Sequence, residues 1–175
     1  MEFTLTDTGL KSNELVEVEE QLALIDNIGD LGEARLYCLF QEAEQSIIDC
    51  AKTWGKGVAE NILSTFMFHE YAGRAVRSGV LRLMFSGQFN VENMAGALLW
   101  SRDREFIEYL LLHLKRAENT DILFKRFGID GTPLADALIE VKGVPMGTST
   151  ASEFIYQVLF NDRPAHEAFA IARAA

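Results

Sequence analysis

The sequence predicts an all-α protein, an irregular or orthogonal bundle of seven to nine helices in a single domain. Apolar residues recur at steps of three and four along most of the chain, as one buried face of a helix requires. Capping residues, glycines and prolines mark where these segments begin and end. No segment alternates apolar and polar residues as a half-buried strand does, so we expect at least roughly 60% helix and no sheet beyond a two-stranded ribbon.

The first half of the chain is predicted to contain an N-terminal arm and three helices. Residues 1–12 form the arm, and the helices cover about 14–27, 30–54 and 58–85. The second helix carries the clearest apolar stripe of the sequence, made of Leu36, Phe40, Ala43, Ile47, Cys50 and Trp54. Cys38 and Cys50 share this helix and are too far apart along it to form a disulfide, so we expect two reduced core thiols.

The second half is predicted to contain several shorter helices with marked boundaries. Thr132 and Pro133 supply a cap and a first-position proline for a helix that ends at Gly143. Thr150 and Glu153 have the spacing of a capping box. The remaining segments run from a cap at Asn90 to Trp100, from Ser101 or Asp103 to Ala117, from a cap at Thr120 to Phe127, and from Asp162 and Pro164 onward.

Length and composition place the chain among globular proteins. A chain of 175 residues can bury a core as one domain without disulfides. No apolar run approaches the roughly 20 residues that span a bilayer, so no membrane association is expected. The first residues lack the basic and apolar regions of a secretory signal, which leaves the cytoplasm as the expected location.

Charge is distributed unevenly along the chain. Residues 1–50 contain twelve acidic side chains against Lys11 and Arg35, so this segment holds the whole net charge of −10. The rest of the chain is balanced, which argues against direct binding of nucleic acid through a basic face. The sequence therefore predicts an acidic binding face on the first two helices, formed by Glu14, Glu17, Glu20, Glu42, Glu44 and Asp49.

Two further groups of side chains are candidates for a site. Four arginines that flank Gly79 and the Ser86–Gly87 turn, namely Arg74, Arg77, Arg102 and Arg104, have the chemistry of a small anion or acidic-partner site. His69 and His113 lie on apolar stretches of predicted helices. A histidine at such a position is more often a structural residue of the core than a metal ligand. No spacing of His, Cys, Asp or Glu identifies a catalytic residue, a metal site or a cofactor.

These observations favour a non-catalytic acidic protein that acts by binding another macromolecule, as an adaptor, inhibitor or assembly component. The expected partner is a protein with a basic surface, and a homo-oligomer stays open. One alternative is a small helical enzyme, or a protein that binds a small molecule or metal, using His69 and His113. Another is a nucleic-acid mimic whose acidic N-terminal third occupies a basic groove.

Overall fold

Helices dominate the described part of the chain, as the sequence predicts, and they account for most of its residues in a computed structural model. The structure describes residues 3–6, 9–12, 18, 20–22, 32–54, 56–89 and 91–174. A helical segment at 18 and 20–22 precedes nine helices with defined bounds, so the helix count of this part slightly exceeds the predicted seven to nine. Contacts divide the chain into two compact units, Met1–Asn90 and Val91–Ala175.

The first unit contains a short ribbon and three helices with defined bounds. Strands β1 (Phe3–Thr6) and β2 (Gly9–Ser12) pair antiparallel, with Phe3 opposite Ser12 and Thr6 opposite Gly9. The described residues of the predicted arm therefore form a two-stranded ribbon. Helices α1 (Gly32–Trp54), α2 (Lys56–Met67) and α3 (Arg74–Met84) follow.

The predicted helix over 58–85 is wrong, because the chain leaves the helical path between α2 and α3. The ring Nδ1 of His69 accepts a hydrogen bond from the backbone N–H of Tyr71 at 3.1 Å, which competes with helical pairing. Gly73 is extended, with φ −82° and ψ −177°, and is the N-cap residue of α3. The apolar stripe continues across this break, since Phe66 and Val76 are both buried.

A close approach of α1 and α3 organises the core of the first unit. Gly79 of α3 faces Phe40 of α1 so closely that a Cβ on this glycine would lie 2.4 Å from the ring atom Cε1. The Phe40 ring in turn meets Phe66 of α2 edge to face, with 5.2 Å between ring centroids. The predicted stripe of α1 is buried at Leu36, Phe40, Ala43, Ile47 and Cys50. Cys38 is exposed, which corrects the expectation of two core thiols, and both cysteines are free.

The second unit consists of six helices. They are α4 (Glu92–Trp100), α5 (Arg104–Arg116), α6 (Thr120–Arg126), α7 (Pro133–Lys142), α8 (Thr148–Leu159) and α9 (Ala165–Ala174). Helix α8 packs against α5, α7 and α9. Its buried side, which includes Phe154 and Ile155, therefore forms the centre of this unit.

Two predicted caps are confirmed and three are wrong. The N-cap residue of α4 is Val91 and not Asn90. The Asp103 carboxylate accepts from the N–H of Phe106 at 2.8 Å, and the Thr132 hydroxyl accepts from the N–H of Ala135. Asn119, and not Thr120, caps α6 by accepting from two backbone N–H groups. Helix α8 begins at Thr148, which places the proposed box of Thr150 and Glu153 inside it.

Candidate acidic binding site

The outer surface of α1 carries the acidic side chains that the sequence singles out. Its buried stripe faces α2 and α3, so residues on the opposite side of the helix meet solvent. Glu42 is exposed there and Asp49 is partly exposed. The two positions are seven residues apart in numbering, which is nearly two helical turns, so the side chains lie on one face of α1. The side-chain amide of Gln45, between them, donates a hydrogen bond to Asp49 at 2.9 Å.

A cleft lies on one flank of this outer surface, between α1 and the helical residues 18 and 20–22. It has a volume of about 470 Å³. We call it the acidic cleft, and its lining consists of Val18, Glu20, Gln21, Leu39, Glu42, Ala43 and Ser46. The carboxylates of Glu20 and Glu42 are both exposed, one from each wall. The sequence predicts that these two acids belong to a binding surface, whereas the cleft depends on tertiary packing and carries no sequence signal of its own.

The other predicted acids do not all belong to this surface. Glu44 is directed toward α3, where its carboxylate forms a salt bridge with Arg82 at 2.7 Å. Glu44 is therefore engaged with α3. Glu14 and Glu17 lie outside the residues that the structure describes.

A second groove lies on the other flank of α1 and is missed by sequence analysis. We call it the Glu33 groove, with a volume of about 370 Å³ and a lining of Glu33, Ala34, Tyr37, Gly73, Ala75 and Val76. The Glu33 carboxylate lies against the backbone of Gly73, where an added Cβ would be 1.9 Å from its Oε1. The available sequence signal was the glycine at position 73. Because it has no side chain, the carboxylate of Glu33 can occupy the space beside it.

The four arginines of the predicted anion site are divided between the two units. Arg74 and Arg77 lie on α3. Arg104 is the first residue of α5, and Arg102 lies in the turn just before the cap residue of that helix. Arg102 has a positive φ of 59°, which places it in the left-handed region, and its guanidinium lies 5.0 Å from the centroid of the Phe160 ring. The anion site as a whole stays a prediction.

Arg104 has partners within the second unit. Its guanidinium forms a salt bridge with Glu153 at 2.8 Å and lies 4.5 Å from the centroid of the Tyr156 ring. Hydrogen bonds from Gln157 and Arg104 hold the pKa of the Glu153 carboxyl below its usual value. Burial raises the pKa of the Tyr156 hydroxyl, which donates a hydrogen bond to the Arg102 carbonyl. Glu153, Tyr156 and Phe160 share one face at steps of three and four, a sequence signal that could have revealed this cluster.

The two histidines occupy different units and different local settings. His69 is half-buried in the turn between α2 and α3. His113 is half-buried on α5, where its Nδ1 lies 3.0 Å from the carbonyl oxygen of Tyr109 and its ring stacks on that of Tyr109. Among the residues that the structure describes, no three His, Cys, Asp or Glu side chains are grouped so that they could hold a metal ion.

Comparison of the chain with protein-family models, with curated proteins and with solved structures finds no match. Within the described part of the chain, no helix combines the length and the apolar character needed to cross a membrane.

Proposed function

We propose that this protein is a non-catalytic binding protein of the cytoplasm, an adaptor, inhibitor or assembly component. The outer surface of α1 would meet a basic surface on a protein partner. The observation that carries the proposal is the acidic cleft, in which exposed Glu20 and Glu42 offer two carboxylates from facing walls. Carboxylates in a concave surface concentrate negative potential, which attracts and orients a cationic group.

The distribution of charge supports the same surface. Residues 1–50 contain twelve acids and two bases, and both the cleft and α1 up to Asp49 lie inside this segment. Like charges so close together destabilise the compact state through repulsion. A basic partner relieves that repulsion and gains a faster association through electrostatic steering.

The site offers less support for the alternatives. His69 and His113 each have a backbone group within hydrogen-bond distance on their own element, and neither lines one of the two clefts described on α1. A nucleic-acid mimic would use the same acidic surface, so the identity of the partner distinguishes it from an adaptor. Both alternatives stay predictions.

The decisive variant is Glu42→Lys combined with Asp49→Lys. Both positions face away from the core of the unit, so the fold should be retained, because surface changes seldom exceed about 0.5 kcal/mol. Glu44 is left unchanged, because its loss would also break the salt bridge to Arg82. A matched control is Glu118→Lys combined with Glu140→Lys, which alters net charge equally at two exposed positions of the second unit.

The measurement begins with capture of partners from source-cell extract on immobilised protein and their identification by mass spectrometry. Association of each purified candidate is then followed over a salt series. We expect the α1 variant to slow association by about tenfold or more at low salt and the control to leave it near the wild-type rate. Equal rates for wild type and α1 variant at every salt concentration would contradict the proposal.

A further inference from the structure

The Glu33 groove combines three features that one kind of ligand side chain requires. The carboxylate of Glu33, an exposed residue, forms part of its lining and supplies negative charge. The ring of Tyr37, a residue that is 38% exposed, supplies an aromatic surface. Ala34, Ala75 and Val76 supply apolar walls. A ligand that uses all three must end in a cation and carry an apolar stem.

The placement of the Glu33 carboxylate makes it a defined part of the groove. The carboxylate occupies the space beside Gly73 in which any other residue would carry a Cβ. The first turn of α3 begins there, and a helix N-terminus favours a negative group at this position. Arg74, the first residue of α3, is exposed and does not form part of the lining. The groove is therefore preformed with its charge in place.

We propose that the Glu33 groove binds an arginine side chain of the partner protein. A guanidinium can donate two parallel hydrogen bonds to one carboxylate and stack its plane on an aromatic ring, whereas a lysine ammonium is a compact and strongly hydrated charge. The volume of about 370 Å³ is at the lower end of the range of roughly 300–1,000 Å³ that is usual for small-molecule pockets. This space suits one long side chain. The inference rests on the proposed function, since it assigns one residue of the same basic partner.

The two sites lie on opposite flanks of α1. Residues 33, 34 and 37 project to one side of the helix, and residues 39, 42, 43 and 46 project to the other, as a rotation of about 100° per residue requires. A basic surface that meets α1 can therefore place one cation in the acidic cleft and another in the Glu33 groove. We assign the arginine to the Glu33 groove because an aromatic ring lines it, whereas the lining of the acidic cleft contains none.

The test titrates isotopically labelled full-length protein with three blocked pentapeptides that differ only at the central residue. The sequence is alanine throughout, with arginine, lysine or the neutral isostere citrulline at the centre. Amide signals of Ala34, Gly73 and Ala75 report on the groove, and those of Glu42 and Ser46 report on the acidic cleft. We expect the arginine peptide to shift the groove signals saturably, with the lysine peptide about threefold or more weaker and the citrulline peptide at least tenfold weaker.

Two variants separate charge from position. Glu33→Gln removes the charge, and Gly73→Ala keeps every charge while its Cβ displaces the carboxylate. Both should weaken binding of the arginine peptide at least fivefold. Glu42→Gln, the matched control in the acidic cleft, should leave the groove titration unchanged. Well-dispersed amide spectra establish that each variant is folded, and the comparison of arginine with citrulline needs no variant at all.

Equal shifts from the arginine and citrulline peptides, or shifts confined to the acidic cleft, would overturn the inference. Unchanged binding to both variants would also overturn it. These failures leave the proposed function standing if Glu42→Lys with Asp49→Lys still slows association of the partner. Loss of that charge effect, with arginine binding intact, would instead contradict the proposed function alone.

Discussion

Replacing Gly79 with alanine tests whether α1 and α3 approach each other as closely as the structure shows. A Cβ at this position would lie 2.4 Å from Cε1 of Phe40, and real Cβ atoms essentially never show contacts under 3.0 Å. The Phe40 ring has little room to withdraw, because it is 2% exposed and packs edge to face on Phe66. The contact must therefore be relieved by a shift of packed atoms.

Two opposing effects determine the sign of the change. Alanine is better than glycine inside a helix by about 0.5–1 kcal/mol. Overfilling a close-packed core typically destabilises by about 1–3 kcal/mol. We expect the second effect to dominate, so that Gly79→Ala lowers the free energy of unfolding by about 1–2 kcal/mol, the approximate difference between the two.

Gly96 provides a matched control, because it also lies inside a helix and a Cβ there would meet nothing within 4 Å. Gly96→Ala should raise the free energy of unfolding by about 0.5–1 kcal/mol. Urea unfolding followed by circular dichroism measures both. Adding Phe40→Leu should recover part of the loss in Gly79→Ala, which a double-mutant cycle would detect. A stabilising Gly79→Ala, or equal effects at the two glycines, would refute the close packing of α1 on α3.

Three further predictions concern local interactions. Asp103→Ala should lower the free energy of unfolding by about 1 kcal/mol, because the carboxylate caps α5 through the Phe106 N–H; urea unfolding checks this, and an unchanged midpoint would contradict it. Because the pKa of Glu153 is lowered in the folded protein, its contribution to stability is present above its unfolded pKa and is lost as the pH falls through its folded pKa. Arg104→Ala should therefore lower the free energy of unfolding at neutral pH, and this loss should become smaller in acid. A loss of the same size at every pH would argue against the ion pair. A thiol reagent should modify exposed Cys38 in the native protein but buried Cys50, whose thiol pKa is raised by burial, only after unfolding; equal rates would contradict this assignment.

The predicted helices were most accurate where a long periodic pattern coincided with a strong stop signal. Helix α1 matches its prediction because its apolar stripe recurs without interruption and glycines follow it. The 58–85 prediction was wrong for an instructive reason. The stripe has the same period on both sides of the turn at 68–73, whereas the break depends on the His69 ring and the extended Gly73, which periodicity does not register.

The candidate site could be predicted only in part. Periodicity placed Glu42 and Asp49 on the face of α1 away from the core, because the core stripe fixes which side is outward. Periodicity could not show which flank of α1 would be covered by α3. The salt bridge of Glu44 with Arg82 depends on that packing, and so do both clefts. Sequence thus indicated the charges, while the packing of neighbouring helices determined which of them remain available.

The acids of α1 consequently perform two different tasks. Glu33 lies beside the N-terminus of α3, where a negative charge is favourable, and Glu44 pairs with Arg82 in the last turn of the same helix. Both support the packing of α3 on α1 and offset part of the repulsion within the acidic segment. Glu42 lines the acidic cleft, and Asp49 accepts a hydrogen bond from Gln45 of the same helix. Reversal of Glu42 and Asp49 is the informative experiment because it leaves both of these contacts with α3 intact, so that slower association can be attributed to charge on the outer surface of α1.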